Sequence, residues 1–375
     1  AQVCAAADLP SLVYARQPVR LSMRQNFEAA LQASSGSHVV FIGDDDGVAP
    51  HGLLRLSEMI SSGNHEILKW RVVNYIWPDP SRGRPGNVTL RTNKLSGRIR
   101  HIDPAELLET FRSGRVGGYQ SGAMIYHGCI SRSLIDRVRA AQGGTYFWTT
   151  CPDVYASVAN LLHARTPILG ADIPVTIGGA SPRSNGTAGK EFTKSAQTAA
   201  TSEYARFLAE LQGDPCLGRM PATCSSINLV TVDALQLSHS MAGRGLDLDT
   251  AAWARRIDAE LSDLAPAVAA EAKDQARILI GPAADAIALP VAAPAPPAPA
   301  PAPLAETATR VSVSLAKVRI TGGKAMQGIV PAAQLIDRIC GAETPFARLP
   351  RTRPGMLLGM IALLRRARTL RRAEL

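Results

Sequence analysis

The sequence predicts an α/β protein with a mixed sheet flanked by helices, and two observations carry that prediction. Short runs rich in β-branched and aromatic residues alternate with amphipathic segments of about 10–15 residues, as strands alternate with helices. One such run, residues 39–42, ends at Gly43 and is followed by three aspartates and then by an apolar-periodic segment. In open α/β sheets, ligands bind at the carboxyl ends of strands, so this acidic turn is the candidate site.

In chain order, the patterns predict strands at residues 11–15, 39–42 and 67–76, and helices at residues 21–33, 50–61, 104–112, 131–141 and 153–164. Ser22 is placed to cap the first helix, and Pro50 lies in the first turn of the second, where proline is tolerated. Residues 117–128 are predicted as a glycine-punctuated strand and residues 78–98 as an excursion over the surface. Residues 178–190 are predicted as a glycine-rich loop of the kind that moves over a ligand.

Four segments follow from the changes in composition. Residues 1–200 form the predicted α/β core, and residues 201–280 form a helical extension. Residues 281–305 are an Ala/Pro-rich linker, expected to be extended in the polyproline conformation. Residues 306–375 form a small basic C-terminal segment that ends in an amphipathic helix. The apolar face of that helix carries Leu357, Met360, Ile361 and Leu364.

The positive charge of the chain is concentrated in its tail. Of the net charge of +10, residues 348–375 contribute +7 through eight arginines and one glutamate, which leaves +3 for the rest. A basic tail on a nearly neutral body predicts no nucleic-acid partner. For the C-terminal helix two interpretations stay open: peripheral contact with the anionic inner face of a membrane, or docking on the protein body.

The cysteines and the apolar runs bear on localisation. The six cysteines show neither a CxxC pair nor a zinc-ligand spacing, and they are expected to be reduced thiols. No apolar run reaches the ~18 residues that span a bilayer. The sequence therefore predicts a cytoplasmic protein, with contact at the inner face of the membrane as the open alternative.

The three consecutive carboxylates of Asp44, Asp45 and Asp46 are the strongest chemical signal. Adjacent like charges repel one another, and a divalent cation such as Mn²⁺ or Mg²⁺, which prefers carboxylate oxygens, is the usual compensation. The alternative is a polar turn, because aspartate is common in turns and helix caps. Three aspartates after a buried strand favour the metal site over the turn.

Several motifs in order extend this hypothesis. They are LSMRQNFEAAL, VVFIGDDDGVAP, KWRVVNYIWP, YHGCISRSLID, CPDVY and IGGASPRSNG. Their order over roughly residues 10–190 resembles a family-2 glycosyltransferase with the GT-A fold, a nucleotide-diphospho-sugar transferase. The resemblance implies a metal-dependent, inverting enzyme. Such an enzyme moves a sugar from a nucleotide-diphosphate donor to a hydroxyl of a glycan or lipid-linked acceptor.

The resemblance also implies roles for the aspartates. Asp44 would face the donor ribose and the metal, and Asp45 or Asp46 would hold the cation against the donor diphosphate. Asp153, at a helix start, corresponds to the general base that deprotonates the acceptor hydroxyl, although an ordinary helix cap is the alternative.

Further donor contacts are implied with less specificity. Asn26 would lie near the nucleotide, and Arg183 and Lys190, the cations of the glycine-rich loop, would clamp the diphosphate. Each has a plainer alternative, a turn cap for Asn26 and solvated loop charges for the other two. His127 would contact acceptor or phosphate, or serve a structural role.

The chain departs from the family at its start. The GT-A fold begins with strand–helix–strand units that bind the nucleobase, and this chain begins at what corresponds to the third strand, so an N-terminally incomplete core is expected. Two rival functions remain. A haloacid-dehalogenase-like phosphatase also places Asp-x-Asp-Gly after an apolar strand, and a non-catalytic remnant or binding module of the same fold would keep the shape without turnover.

Overall fold

The computed structural model describes residues 11–79, 83–91, 94–182, 202–216, 218, 226–290, 310–313, 317–322, 327–340 and 361–369. Within these residues the protein is α/β, with two mixed sheets flanked by helices. The fold class predicted from the sequence is therefore confirmed at this level. None of the helices in the described ranges is long and apolar enough to cross a membrane.

The first half of the chain alternates strands and helices. Its elements are α1 (Met23–Ala33), β1 (His38–Val39), β2 (Gly47–Val48), α2 (Gly52–Ser61), β3 (Ile67–Lys69), β4 (Val73–Ile76), β5 (Asn87–Arg91), β6 (Ile99–Ile102), α3 (Pro104–Arg112), β7 (Gly128–Ser131), α4 (Arg132–Ala141), α5 (Pro152–His163), β8 (Ile168–Ala171) and β9 (Thr176–Ala180). A single 3₁₀ turn, Tyr119–Ser121, lies between α3 and β7.

The second half is mainly helical. Its elements are α6 (Ser202–Leu211), α7 (Ile227–Met241), α8 (Thr250–Leu261), α9 (Pro266–Ile280), a 3₁₀ segment (Gly281–Ala286), β10 (Arg310–Val313), β11 (Lys317–Thr321), α10 (Ile329–Cys340) and a helix over residues 361–369, α11.

The first sheet has the order β1-β7-β3-β8-β6. Strand β7 is antiparallel to both β1 and β3, whereas β3 and β8 are parallel. The carboxyl ends of β1, β3 and β8 therefore lie at one edge, together with the amino ends of β7 and β6, which is antiparallel to β8. This edge, which is formed by strand ends and not by an outer strand, carries the polar residues of the candidate site.

The second sheet has the order β10-β11-β5-β4-β9-β2. Strand β2 leaves the acidic turn and pairs with β9, so this sheet covers the turn from the other side. The predicted strand at residues 67–76 is in fact two strands, with β3 in the first sheet and β4 in the second. Its mostly apolar pattern, ILKWRVVNYI, did not reveal the change of sheet.

Local signals placed most of the helices well. Ser22 caps α1 in a capping box with Gln25, and Asp103 caps α3, whose predicted bounds are confirmed. Helix α2 begins after His51, two residues beyond Pro50. Residues 11–15, predicted as a strand, are exposed coil, because no neighbouring strand pairs with them in the described chain.

Three predictions for glycine-rich segments were wrong, the last of them in part. Residues 78–98 are not a surface excursion throughout, because residues 87–91 form β5, which pairs with β4 and β11 and buries Val88 and Leu90. Residues 117–127 form a 3₁₀ turn and irregular chain, not a strand, and only Gly128 of the predicted strand belongs to β7. Residues 178–180 belong to strand β9 rather than to a loop, because they pair in parallel with β4. Residues 183–190 lie outside the described residues, as do residues 1–10 and 291–309.

The helical segment after residue 200 is part of the main core. Helix α5 packs on α7, and the side chains of Trp253 and Ile257 from α8 are fully buried in the same apolar cluster as Phe111. Trp253 Nε1 donates a 2.9 Å hydrogen bond to the Phe111 carbonyl, which satisfies the indole of this buried side chain. The described part of the predicted extension thus shares its apolar core with the α/β layers.

The C-terminal segment completes the second sheet. Strand β11 pairs with β5, and α10 packs beside β2, where Ile329 lies so close to Gly47 that a Cβ on that glycine would be 2.7 Å from Ile329 Cγ1. Asp337 on α10 accepts hydrogen bonds from the backbone nitrogen of His51, at 3.2 Å, and pairs with His51 Nδ1 at 3.1 Å. The C-terminal segment therefore contacts the elements that flank the acidic turn.

Helix α11 buries part of its predicted apolar face. Leu364 is buried in the second apolar cluster with Leu363 and Ala367, whereas Ile361 is 37% exposed. Leu357 and Met360 lie outside the described residues. This packing favours docking on the body for the described part of the helix, and membrane contact stays a prediction.

A buried ion pair ties α1 to the chain after α6. Arg24 Nε lies 2.8 Å from Asp214 Oδ2, and the two side chains are 7% and 1% exposed. Ser22 Oγ also donates to Asp214. Burial raises the pKa of Asp214, but the hydrogen bonds from Arg24 and Ser22 outweigh it, and the pKa is lowered overall. The capped end of α1 is therefore held by the Asp214 carboxyl group, which must stay ionised to pair with Arg24.

We expect Asp214→Asn to lower the free energy of unfolding by about 3–5 kcal/mol, because it leaves the Arg24 guanidinium buried without a counter-charge. Urea denaturation measures the change. The matched control is Asp274→Asn, which breaks the exposed pair with Arg277 and should change stability by no more than about 0.5 kcal/mol. Equal effects of the two substitutions would contradict the prediction.

Candidate active site at the carboxyl edge of the first sheet

The acidic turn lies between the two sheets. Strand β1 leads through Phe41, which bridges to Tyr126, into Gly43 and the three aspartates. The chain then enters β2 in the second sheet. The aspartates therefore occupy the crossing from one sheet to the other, and each of the three has a different environment.

Asp46 is buried and receives hydrogen bonds from three separate segments. Oδ2 accepts from the Gly43 amide at 2.6 Å and from the Tyr126 hydroxyl, and His127 Nε2 lies 3.3 Å away. Oδ1 accepts from the Gly179 amide at 2.8 Å. Burial raises the pKa of Asp46, but the hydrogen bond and charge of His127, with the other donors, lower it to about 2.

Asp44 and Asp45 are more open to solvent. Asp44 is exposed, and its side chain makes no hydrogen bond in the described part of the chain. Asp45 Oδ2 accepts from the Ser181 amide at 3.2 Å, and its carbonyl accepts from Trp77 Nε1 at 2.9 Å. Burial, followed by the charges of Asp46 and Asp44, raises the pKa of Asp45 against the opposing Ser181 hydrogen bond. These two carboxylates are the ones available to a ligand.

Strand β9 approaches the acidic turn so closely that only glycine fits. A Cβ on Gly179 would lie 1.7 Å from the Asp45 carbonyl oxygen and 2.8 Å from Trp77 Nε1. Gly179 of the IGGASPRSNG motif therefore admits the turn, and its amide is free to reach Asp46. This contact explains a glycine that the sequence suggested belonged to a mobile loop.

His127 is held by a chain of hydrogen bonds that runs through Thr176 to Trp70. Its Nδ1 lies 2.9 Å from Thr176 Oγ1, and the same hydroxyl accepts from Trp70 Nε1 at 2.8 Å. His127 has a φ of 55°, a left-handed conformation that is rare for a residue with a side chain. This backbone turn directs the ring toward Asp46, so the described contacts of His127 support its structural alternative.

An aromatic cluster positions Tyr126. Phe27 of α1 stacks on Phe41 at 5.1 Å and on Tyr126 at 6.1 Å, and Phe147 meets Phe27 edge to face. Burial raises the pKa of Tyr126, as do the hydrogen bond and charge of Asp46. The phenol therefore stays protonated and donates a hydrogen bond to the Asp46 carboxylate.

Asp153 lies in the first turn of α5, close enough to Tyr126 for its charge to act on that phenol. Cys151 is the N-cap of this helix, without a capping hydrogen bond from its side chain, so Asp153 lies two residues beyond the cap position and is not the helix cap. Its charge acts on Tyr126 and Tyr119, and the charge of His127 acts on it. Burial raises the pKa of Asp153 against the helix amides that lower it. The fold thus brings Asp153 near the acidic turn across more than a hundred residues.

The other predicted donor contacts are not assembled in the described structure. Asn26 is exposed on the first turn of α1, and only its backbone makes a hydrogen bond, to Ser22. Arg183 and Lys190 lie outside the described residues. The roles of these three residues stay predictions.

The donor set tests the predicted cation site. Asp46 fits a cation poorly, because the groups around its carboxylate are N–H and O–H donors whose hydrogens carry partial positive charge. Asp44 and Asp45 supply hard oxygen ligands of the kind that Mn²⁺ and Mg²⁺ prefer. No group of three or more potential metal ligands is found among the described residues. A cation at Asp44 and Asp45 stays a prediction, and a ligand role for Asp46 is unsupported.

Sequence reasoning gave no individual role to Tyr126, Trp77, Thr176 and Gly179, although the first, second and fourth lie in the quoted motifs. These residues matter because sheet register places them around the turn, and no local pattern indicates that register. The sequence also matches no protein-family model and gave no significant match among curated proteins.

We expect Asp46→Asn to lower the free energy of unfolding by about 2–4 kcal/mol, because an amide NH₂ would face donors that need an acceptor. Asp44→Asn, its matched control, should change stability by no more than about 0.5 kcal/mol, because Asp44 is exposed. In an NMR titration, the Asp46 carboxyl should protonate only as pH falls toward 2. The stability it contributes is present above pH 4 and lost over that range. Titration of Asp46 near pH 4 would contradict the assignment.

We also expect Gly179→Ala to destabilise the protein by about 1–3 kcal/mol and to broaden the NMR signals of the acidic turn, because the new methyl group overlaps the Asp45 carbonyl. Gly245→Ala is the matched control, since a Cβ there meets nothing within 4 Å. It should be neutral or slightly stabilising. A neutral Gly179→Ala would show that β9 does not pack on the turn as described.

Proposed function

We propose that this protein is a family-2 type glycosyltransferase that moves a sugar from a nucleotide-diphosphate donor to a hydroxyl of a glycan or lipid-linked acceptor. The observation that carries the proposal is the pairing of two kinds of carboxylate at one sheet edge. Asp44 and Asp45 are open to a ligand, and Asp153, with a raised pKa, lies close enough for its charge to act on Tyr126, which contacts the acidic turn. The assignment of the α/β core to the GT-A fold is part of this proposal.

Asp153 is suited to accept a proton from the acceptor hydroxyl. A general base works best when its pKa lies near the working pH, and burial moves the pKa of Asp153 in that direction. As the hydroxyl oxygen forms its bond to the anomeric carbon, its proton passes to an Asp153 carboxylate oxygen and the diphosphate leaves with the bonding electron pair. His127 lies close enough for its charge to act on Asp153.

Asp44 and Asp45 would orient the donor at the opposite side of the site. Asp44 can accept hydrogen bonds from ribose hydroxyls, because its oxygens have no partner in the described chain. A divalent cation, when bound by these two residues, supplies charge neutralisation on the diphosphate oxygens. Asp46 supports ribose binding and cation binding by keeping the turn in shape through its contacts with β9, Tyr126 and His127.

The rival functions make different demands on Asp46. A dehalogenase-type phosphatase needs the second aspartate of Asp-x-Asp as an acid, but a pKa of about 2 leaves Asp46 ionised and without a proton to give. A non-catalytic remnant of the fold makes no demand on Asp46 or on Asp153. Turnover therefore separates it from the proposed enzyme.

The first experiment is calorimetry of UDP and GDP with Mn²⁺ on the wild-type chain, Asp44→Asn and Asp153→Asn. We expect nucleotide binding to be lost in Asp44→Asn and retained in Asp153→Asn, because the proposal assigns Asp44 to the donor and Asp153 to the acceptor. Retained binding in Asp44→Asn would overturn the donor site.

Turnover assays then test Asp153. The assays use a donor and an acceptor on which the wild-type protein is active. The kcat should fall about 10²–10⁴-fold in Asp153→Asn, a typical loss for a general base. In the wild type, kcat/KM should rise with pH through the raised pKa of Asp153, and this acidic limb should vanish in the variant. An unchanged pH profile in Asp153→Asn would exclude it as the base.

A further inference from the structure

Two arginines pair with a single buried carboxylate at the other half of the same sheet edge, and a third arginine lies beside them. Arg71 follows β3, Asp172 follows β8, and Arg98 and Arg100 lie at the start of β6. Asp172 is 3% exposed, and its Oδ1 accepts from both Arg71 Nε and Arg100 Nη2 at 2.7 Å. Ser96 Oγ donates to Oδ2 at 3.3 Å. The cluster therefore has two more positive charges than negative ones.

The guanidinium groups keep unused donors. Arg98 makes no ion pair in the described chain, and its Nε, like that of Arg100, is shielded from solvent without a hydrogen-bond partner. A buried N–H left unpaired is costly, and such an atom in a charged cluster indicates a missing acceptor. The side chains of Arg71 and Arg100 are 35% and 32% exposed, so a ligand from solvent can reach them.

Neighbouring groups respond to this excess charge. Burial lowers the pKa of Arg100, and the charges of Arg71 and Arg98 lower it further against the single opposing charge of Asp172. Lys69, whose Nζ donates to the carbonyls of Ser121 and Gly122, has its pKa lowered to about 7 by burial and then by Arg71 and Arg100. A bound anion would relieve this repulsion.

We propose that Arg71, Arg98 and Arg100 form a phosphate-binding site that holds a phosphate group of the acceptor substrate. Guanidinium forks match phosphate oxygens in geometry, and an excess of two positive charges matches a phosphate monoester of about −2 at neutral pH. The site is two to four strands from β1, or about 10–19 Å at the usual strand spacing. An acceptor could thus place its hydroxyl near Asp153 while its phosphate binds here, a role that rests on the proposed transferase function.

The test follows the Nε–Hε signals of ¹⁵N-labelled arginines during titration with inorganic phosphate, with sodium chloride at the same ionic strength as reference. We expect saturable shifts for Arg71, Arg98 and Arg100 with phosphate, and none with chloride. In Arg98→Gln, which keeps both ion pairs of Asp172, the phosphate dissociation constant should rise at least about tenfold. Arg277→Gln, which removes an exposed helical arginine, should leave it unchanged.

Two further arms identify the source of the phosphate. Glucose 1-phosphate represents a soluble sugar phosphate, and vesicles with phosphatidic acid represent a lipid phosphate; binding of either that weakens in Arg98→Gln supports the site. Absence of saturable shifts, or equal affinity in Arg98→Gln and wild type, overturns it. Manganese-dependent UDP binding should persist in Arg98→Gln. Failure of the arginine site is therefore distinguishable from failure of the transferase proposal, which depends on Asp44 and Asp153.

Discussion

The candidate site depends on the hydrogen bonds that the buried carboxylate of Asp46 accepts. This carboxylate joins the end of β1, the chain before β7 and strand β9 through donors from Gly43, Tyr126, His127 and Gly179. A buried charge is stable only when such donors compensate for lost hydration, so the three segments and the carboxylate require one another. Because Asp46 is held in this way, the two aspartates before it are presented to solvent in a fixed position.

The same constraint links the site to the C-terminal part of the chain. The turn that follows Asp46 passes through Gly47, which lies against Ile329 of α10, and the next helix is bonded through His51 to Asp337. Strands β10 and β11 extend the second sheet from β5. The described residues after 305 thus support the layer that covers the acidic turn, although composition marks them as a separate basic tail.

The sheet edge is divided by charge into an acidic half and a basic half. Asp44, Asp45 and Asp153 lie by β1 and β7, and the arginines around Asp172 lie by β3, β8 and β6. Trp70 stands between the two, since it neighbours Arg71 in sequence and donates to Thr176, which contacts His127. Under the proposed function, such an arrangement suits a substrate with two separate recognition points, one near the reacting hydroxyl and one at an acidic group.

The sequence by itself determined the α/β class, most of the helices and the acidic turn, because periodicity, caps such as Ser22 and the run of aspartates act over a few residues. Tertiary structure alone decided which aspartate is buried, since the donors to Asp46 come from residues 80 and 133 positions away in the chain. It also decided that residues 67–76 split between two sheets and that Gly179 admits a neighbouring turn. Strand register between distant segments produces all three results, and no short stretch of sequence encodes that register.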